Sequence, residues 1–405
     1  MVTEKMAGQG PKPRTAKKQK KIPKRRKRLE KREVQGDPAP DKVLKSPKRM
    51  PRERKRGISK AFPDEGATTA NSENYTSQNP KRRKREKQKA EMPSANEEKE
   101  GTFESSKKRK NSKKFVGAHV SIQGGIWNAV LVARQIGASA IGMFLGSQRT
   151  WKSKTLDDKA AERFQRTCKE LGFQSHYILP HSPYLMNLGS PKSDVLQKSR
   201  AMLVDELHKC HQLGLTMYNI HPGSRVGAIS VNRCLELIAD GINLAHSQIP
   251  GVTVVLENMS CQGSTVGGLF EELRGIIDLV VDKSRIGVCL DTCHAFAAGH
   301  DLSKKAGLEN MLDKFSTVVG LSFLKAIHLN DSQGEVGCKL DRHEKIGHGH
   351  IGLEGFRHVM NEPRFNGIPM ILETPLSSDD HAKEIDLLYS LCAKGRGAAK
   401  TKRKR

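Results

Sequence analysis

Residues 285–291 read RIGVCLD, an apolar run of strand length that closes on an acid. Five further runs share the form: YILPH (177–181), MYNIH (217–221), VTVVLE (252–257), LKAIH (324–328) and PMILE (369–373). Their closing residues are His181, His221, Glu257, Asp291, His328 and Glu373, at successive separations of 40, 36, 34, 37 and 45 residues. One strand, one helix and two loops of a parallel α/β repeat consume about that much chain. FVGAH, ending at His119, and SAIGMFL, near residue 140, supply two earlier strands, so eight are expected. Between them, Val195, Leu203, Val204, Leu207 and Cys210 fall at helical spacing, as do Cys234, Leu235, Ile238 and Ile242, and Leu269, Leu273, Ile276, Ile277 and Val280. The alternation predicts an α/β fold, a (β/α)8 TIM barrel over residues 115–393, a length that suits one barrel of about 250 residues with modest loops.

Charge divides the chain differently. Residues 1–114 carry 37 Lys/Arg against 15 Asp/Glu, and residues 394–405 carry seven Lys/Arg and no acid. The formal net charge of +27 therefore lies almost wholly in the two ends, and residues 115–393 are close to neutral. The first 114 residues hold few apolar side chains and many Pro, Ser, Asn, Lys and Arg, too little to offset chain entropy by burial. A disordered basic extension over 1–114 and a short basic tail over 394–405 are expected. The blocks Lys24–Arg28, Lys81–Arg85, Lys107–Lys110 and Lys402–Arg405 suit nuclear import or sequence-blind attraction to phosphate backbones. A single block reads almost as well as a solvated linker; their repetition at both ends favours import machinery or nucleic acid as partner.

No apolar stretch approaches the roughly 20 residues that cross a bilayer, and the amino terminus lacks a secretory apolar core. A soluble, intracellular protein is expected, in the nucleus and with a mitochondrial pool left open. The eight cysteines form no CxxC pair, which suggests neither a disulfide framework nor a cysteine zinc site.

Isolated strand histidines are usually structural, and a carboxylate at a strand end often caps the following helix. Six such groups around one barrel mouth are a different matter, because uncompensated carboxylates crowded there are costly and divalent cations remove the cost. His294 follows Asp291 by three residues, and Asp341 and His343, separated by one, share a side of an extended segment. Five histidines and four carboxylates without thiolate suit zinc, with manganese or iron as alternatives. Such sites lower the pKa of water from about 15.7 toward roughly 7, and paired metals stabilise both oxygens of a phosphoryl displacement. A phosphodiester is the natural substrate, and the basic ends point to nucleic acid.

The segments GAHVSIQGG (117–125), ILPHSPYLMNLG (178–189), HPGS (221–224), LENMSCQGS (256–264), GVCLDTCHAFAAG (287–299), HLNDS (328–332), DRHEKIGHGHIG (341–352) and GIPMILET (367–374) resemble the endonuclease IV family of apurinic/apyrimidinic (AP) endonucleases. The likeness spans nearly all of residues 115–390 with every motif in order; the long basic extension has no counterpart in compact bacterial members. The resemblance implies a barrel with three zinc ions that cleaves double-stranded DNA 5′ to an abasic site, leaving a 3′-hydroxyl and a 5′-deoxyribose phosphate. It also implies 3′-phosphodiesterase and 3′-phosphatase action on blocked 3′ ends. A monomer is expected. Carried over by motif, His181, His221 and Glu257 hold the first zinc, and Glu257 bridges to a second held by Asp291, His328 and Glu373. His294, Asp341 and His343 hold the third.

Arg149 in SQRTW and Tyr184 with Leu185 in HSPYL match positions that fill a gap in the base stack, where planar or apolar wedges replace lost stacking. Loop packing and a surface ion pair are the plainer readings of these three. Ser182 departs from the acid common in the family. His119 is expected beside the ligands rather than among them, His348 and His350 are not counted as ligands, and Gly124 and Gly125 serve a tight turn rather than a phosphate cradle. Two rivals stand against the nuclease reading: a sugar isomerase on the same barrel, with two metals and no use for DRH or HPGS, and a non-catalytic chromatin-binding scaffold, which loss of ligands would favour.

Overall fold

A computed structural model describes residues 112–393. The basic blocks, the expected disorder of the amino-terminal extension and the 394–405 tail lie outside the described residues. Eight parallel strands close into a barrel: β1 (Phe115–His119), β2 (Ala140–Phe144), β3 (Ile178–His181), β4 (Met217–Ile220), β5 (Thr253–Glu257), β6 (Ile286–Asp291), β7 (Leu324–Leu329) and β8 (Pro369–Leu372). Each pairs with its neighbours in sequence, and β8 returns to β1 through Phe115 to Pro369 and Ala118 to Leu372. The helices around it are α1 (Asn128–Gln135), α2 (Asp158–Leu171), α3 (Ser193–Gln212), α4 (Val231–Gln248), α5 (Phe270–Leu279), α6 (Thr292–Ala298), α7 (Lys305–Val318), α8 (Gly352–Asn361) and α9 (Ser378–Leu391).

The apolar rows picked out in the sequence occupy α3, α4 and α5, where Leu203, Leu207, Cys210, Cys234, Leu235, Ile238, Ile242, Leu273, Ile276 and Ile277 are buried. Leu269 and Val280 are the flanking caps of α5 rather than members of it. The amino end of α5 is closed by Glu272, whose carboxylate accepts from the Gly267 and Leu269 amides. Gly124 and Gly125, at φ +82° and +138°, make the turn that leads into α1.

Inside the barrel, Ala140, Leu179, Met217, Val255, Cys289, Ala326 and Ile371 form one apolar layer, a residue from each of β2 to β8. Phe115 and Tyr177 pack on it from the amino-terminal end, their rings stacked 3.8 Å apart. Side chains alternate along a strand, so an even step along the chain from this plug returns to the inward face. His181, Glu257, Asp291, His328 and Glu373 each stand two residues beyond a plug residue, and His221 stands four beyond Met217. The barrel thus sets an apolar floor under a ring of ligand-type groups at its carboxyl end.

Two short antiparallel ribbons extend this mouth: Gly223–Ser224 with Thr265–Val266, and Asp331–Ser332 with His343–Glu344. Among the described residues no helix is long and apolar enough to cross a membrane.

Candidate metal centre

His181, Glu257 and Asp291 are the last residues of β3, β5 and β6, and His328 is the penultimate residue of β7. His221 and Glu373 fall one residue past their strands, because the final pairings there are Ile220 with Leu256 and Leu372 with Leu329. His294 lies in the first turn of α6, Asp341 in the loop after β7, and His343 on the second ribbon.

These nine side chains gather into three sets whose candidate ligand atoms lie within 4.8 Å of one another: His181, His221 and Glu257; Glu257, Asp291, His328 and Glu373; His294, Asp341 and His343. Glu257 belongs to two of them. Its Oε2 is 3.2 Å from His181 Nε2 and 3.6 Å from His221 Nε2, while its Oε1 is 3.2 Å from His328 Nδ1 and 3.2 Å from His294 Nδ1. One carboxylate therefore faces two groups of imidazoles with different oxygens. Asp341 Oδ1 lies 3.1 Å from His294 Nε2 and 3.2 Å from His343 Nε2.

Several of these approaches lack hydrogen-bond geometry. Glu257 Oε1, His328 Nδ1, His294 Nε2 and His343 Nε2 are buried without a hydrogen-bond partner among the described residues. Buried polar atoms left this way are costly unless something else occupies the space between them. Nitrogen and oxygen donors that converge and lack protein partners fit a divalent cation, and their chemistry suits zinc or manganese. Cys293 also lies within 4.8 Å of Asp291 and His343 donor atoms, but burial pushes its thiol up to about 12 and its Sγ donates to the Arg342 carbonyl.

A layer of asparagines, absent from the sequence reading, holds the carboxylates. Asn219 Nδ2 donates to Glu257 Oε2 at 2.6 Å, and Asn330 Nδ2 to Asp291 Oδ2 at 2.6 Å. Asn258 accepts from the Asp291 amide at 2.6 Å, and Asn330 Oδ1 from the Glu373 amide at 3.1 Å. Their signal was present in the sequence as amides inside or directly after apolar strands, each within two residues of a ligand-type group. Asp291 also caps α6 by accepting from the His294 amide at 2.7 Å. The capping role and membership of the cluster coexist in one carboxylate.

Backbone carbonyls fix the ring orientations. His181 Nδ1 donates to the Ser182 carbonyl at 2.7 Å and His294 Nδ1 to the Asn258 carbonyl at 2.9 Å, which turns the Nε2 of each toward a carboxylate, Glu257 and Asp341 respectively. Ser182 is buried and its amide donates to the Asn219 carbonyl, so the departure from an acid there leaves His181 in place.

Electrostatics in the bare protein follow the same plan. Burial opposes charge on Glu257, but His328, His221, His181 and His294 outweigh it and hold the carboxyl well below its usual range. Burial likewise opposes charge on His294, yet Asp291, Asp341 and Glu257 raise it well above an ordinary histidine. His343 rises to about 9 against burial through Asp341, whereas burial drives His221 down to about 3.

The depth of the groups is graded. Glu257 and Asp291 are fully buried, while the side chains of His221, Glu373, His343 and Asp341 are 26, 16, 21 and 34 % exposed. Tyr184 is 66 % exposed, with its ring centroid 6.0 Å from His181 and 5.9 Å from His221. Leu185 beside it is half-buried, and Arg149 is exposed on the loop after β2. The His119 ring lies tilted against Phe144, centroids 4.4 Å apart; its buried Nε2 has no hydrogen-bond partner among the described residues, and it belongs to none of the three sets. Its pKa is held well below 6.5 by burial and then by His181 and His328. His348 and His350 are exposed and lie in none of the sets.

The family model of xylose isomerase-like TIM barrels matches residues 130–391. A protein of Chlorobium phaeovibrioides named "Probable endonuclease 4" is 50% identical over 278 residues, covering 69% of this chain and 99% of that one. The chain belongs to the endonuclease IV family. The crystal structure of endonuclease IV from Thermus thermophilus matches with a TM-score of 0.61 and 32% identity, over 68% of this chain and 98% of the other. A D-tagatose 3-epimerase-like protein shares the barrel at a TM-score of 0.52 and 19% identity over 68% of this chain and 97% of its own, a likeness of fold alone. As an endonuclease IV family member the chain is an enzyme, which removes the scaffold rival.

Proposed function

We propose that this endonuclease IV family enzyme is a zinc-dependent AP endonuclease. It hydrolyses the DNA phosphodiester 5′ to an abasic site to leave a 3′-hydroxyl and a 5′-deoxyribose phosphate, and clears blocked 3′ ends by 3′-phosphodiesterase and 3′-phosphatase action. The observation that carries the reading is the convergence of nine side chains into three sets, two of them sharing Glu257 through its two oxygens, with buried donor atoms that have no hydrogen-bond partner among the described residues. A sugar isomerase has no use for the third set, His294, Asp341 and His343.

In this reading His181, His221 and Glu257 hold one zinc, Glu257, Asp291, His328 and Glu373 a second, and His294, Asp341 and His343 a third, with manganese a substitute. Bound divalent cations supply Lewis acidity at the phosphoryl oxygens and lower the pKa of water to about 7. The asparagines hold the carboxylates of Glu257 and Asp291 in place, and the buried floor confines the reaction to the exposed rim. Tyr184, Leu185 and Arg149 fill the base stack around a lesion whose sugar enters the pocket. An abasic sugar enters more readily than a paired nucleotide, because no base pair has to open. The neutral His119 ring lines the pocket wall beside Phe144. The basic blocks are proposed to engage the nuclear import machinery, with a mitochondrial pool in addition.

The test is a duplex with one abasic analogue, incubated with the purified full-length protein before and after chelation. A break on the 5′ side of the lesion, lost on chelation and restored by zinc, is expected. An intact strand with metal-loaded protein overturns the reading.

A further inference from the structure

Away from the metal centre, one side of α3 carries a charged cluster that is buried at Lys209 and Glu206 and reaches solvent at Asp205. The Lys209 side chain is only 4% exposed; its ammonium lies 2.8 Å from Asp205 Oδ2 and 3.0 Å from Glu206 Oε1, and it donates to Ser153 Oγ. Ser153 Oγ in turn donates to Asp205 Oδ2 at 2.6 Å, and Tyr218 on β4 faces Glu206 Oε2 from below at 3.4 Å. Buried ions persist only where each is paired and hydrogen-bonded, and here the polar groups close on one another. All but one of them belong to rigid elements of the barrel. The exception is Ser153, which lies on the segment between β2 and α2, residues 145–157, where no strand or helix forms.

That segment carries Arg149, exposed four residues before Ser153. Its other side-chain hydrogen bonds include local ones, in which Ser147 Oγ accepts from the Arg149 amide and Thr150 Oγ1 donates to the Lys152 carbonyl, and the cap of α2, where Asp157 accepts from the Ala160 amide. Trp151 and Leu156 lean partly on the core. The hydroxyl of Ser153 is thus the polar link that ties the Arg149 loop across to α3, and a solvated surface loop has no need of a buried lysine to receive it.

We infer that Ser153 and Lys209 are positioning residues for DNA: their hydrogen bond, braced by Asp205, which pairs with both, holds the 145–157 loop, and with it Arg149, in place before the duplex arrives. A loop ordered in advance loses less freedom on binding, so the contact appears in affinity for the lesion rather than in the chemical step. The inference rests on Arg149 being a DNA contact, and the experiment separates the two.

Ser153→Ala, Ser153→Thr, Lys209→Met and Arg149→Ala are compared with wild type, all zinc-loaded. The readouts are KM and kcat on the abasic duplex, and turnover of a small chromogenic phosphodiester that reports the metal centre without DNA. Ser153→Ala is expected to raise the duplex KM about tenfold with kcat within about twofold and small-substrate turnover unchanged; Ser153→Thr, which keeps the hydroxyl, restores the wild-type KM. Lys209→Met raises KM at least as far, and if it fails to fold Ser153→Ala decides alone. A raised KM in Arg149→Ala with wild-type values in Ser153→Ala overturns the clamp and leaves the DNA reading standing. Unchanged KM in Arg149→Ala removes the loop as a DNA contact, and the clamp with it. Equal loss on duplex and small substrate in Ser153→Ala overturns the clamp as well, because the damage then reaches the metal centre.

Discussion

Glu257 illustrates how much one side chain is asked to do. It is fully buried, accepts from Asn219 through Oε2, and meets four imidazoles with its two oxygens. The isosteric Glu257→Gln keeps the volume but removes the charge that those imidazoles share and one of the two electron-donating oxygens. Cleavage is expected to fall on the order of 10³-fold or more, with bound metal reduced and circular dichroism unchanged. A folded, metal-poor variant that turns over normally would refute the bridging assignment. Residue by residue, the histidines and acids were legible because ligand-type groups are conspicuous at the ends of apolar strands. Asn219, Asn258 and Asn330 were not, because an amide in a sequence declares neither which partner it meets nor that it is buried.

At the scale of elements, the eight strands and the helical rows of α3, α4 and α5 were readable from periodicity, since burial on one face leaves a regular trace. The two ribbons were not, because two-residue pairings carry no period. The second ribbon depends on Asp331, whose buried carboxylate accepts from the amides of Ser332, Gly347, Gly349, Ile351 and Gly352 at 2.8–3.4 Å. This internal anion folds the GHGHIG segment around itself. A Cβ on Gly349 would come within 2.4 Å of the Ser332 carbonyl oxygen and 2.6 Å of Asp331 Oδ1, so only glycine fits. The same ribbon carries His343 opposite Ser332. Asp331→Asn turns one acceptor into a donor facing other donors and removes the charge from several hydrogen bonds, each worth about 1.5–3 kcal/mol net. Loss of roughly 3–5 kcal/mol in stability of this segment is expected, seen as faster amide exchange over 343–352 while β4 to β6 remain protected. Uniformly unchanged exchange would show that the ribbon is held by other contacts.

Over the whole molecule, acid should act through His246 as well as through the metal centre. His246 is buried on α4 with neither ring nitrogen hydrogen-bonded among the described residues, and Arg285 donates to its carbonyl at 2.8 Å. Burial, and then the Arg285 charge, hold its pKa down to about 4. With the folded pKa below the unfolded value near 6.5, the unfolded chain binds the extra proton between these limits. Stability from this site is therefore complete above about pH 6.5 and lost as pH falls toward 4. Discounted for partial solvation, the loss is about 2 kcal/mol. Denaturation of metal-free protein at pH 7 and pH 4.5 should show wild type losing about that much more than His246→Leu, and parallel losses would reject the account. Charge partition between barrel and ends was legible in the composition, whereas a histidine's burial on a helix with mixed neighbours was not.

The apolar plug of Ala140, Leu179, Met217, Val255, Cys289, Ala326 and Ile371 fills the barrel beneath the ring of ligand-type groups and leaves the carboxyl-end rim as their approach. A duplex seated on that rim is expected to act as a stopper for ions and water. Stripping by chelator should slow at least several-fold when a non-cleavable abasic duplex is bound, measured as the rate at which zinc reaches a colorimetric indicator. Equal release rates with and without the duplex would point to a second route through the protein wall.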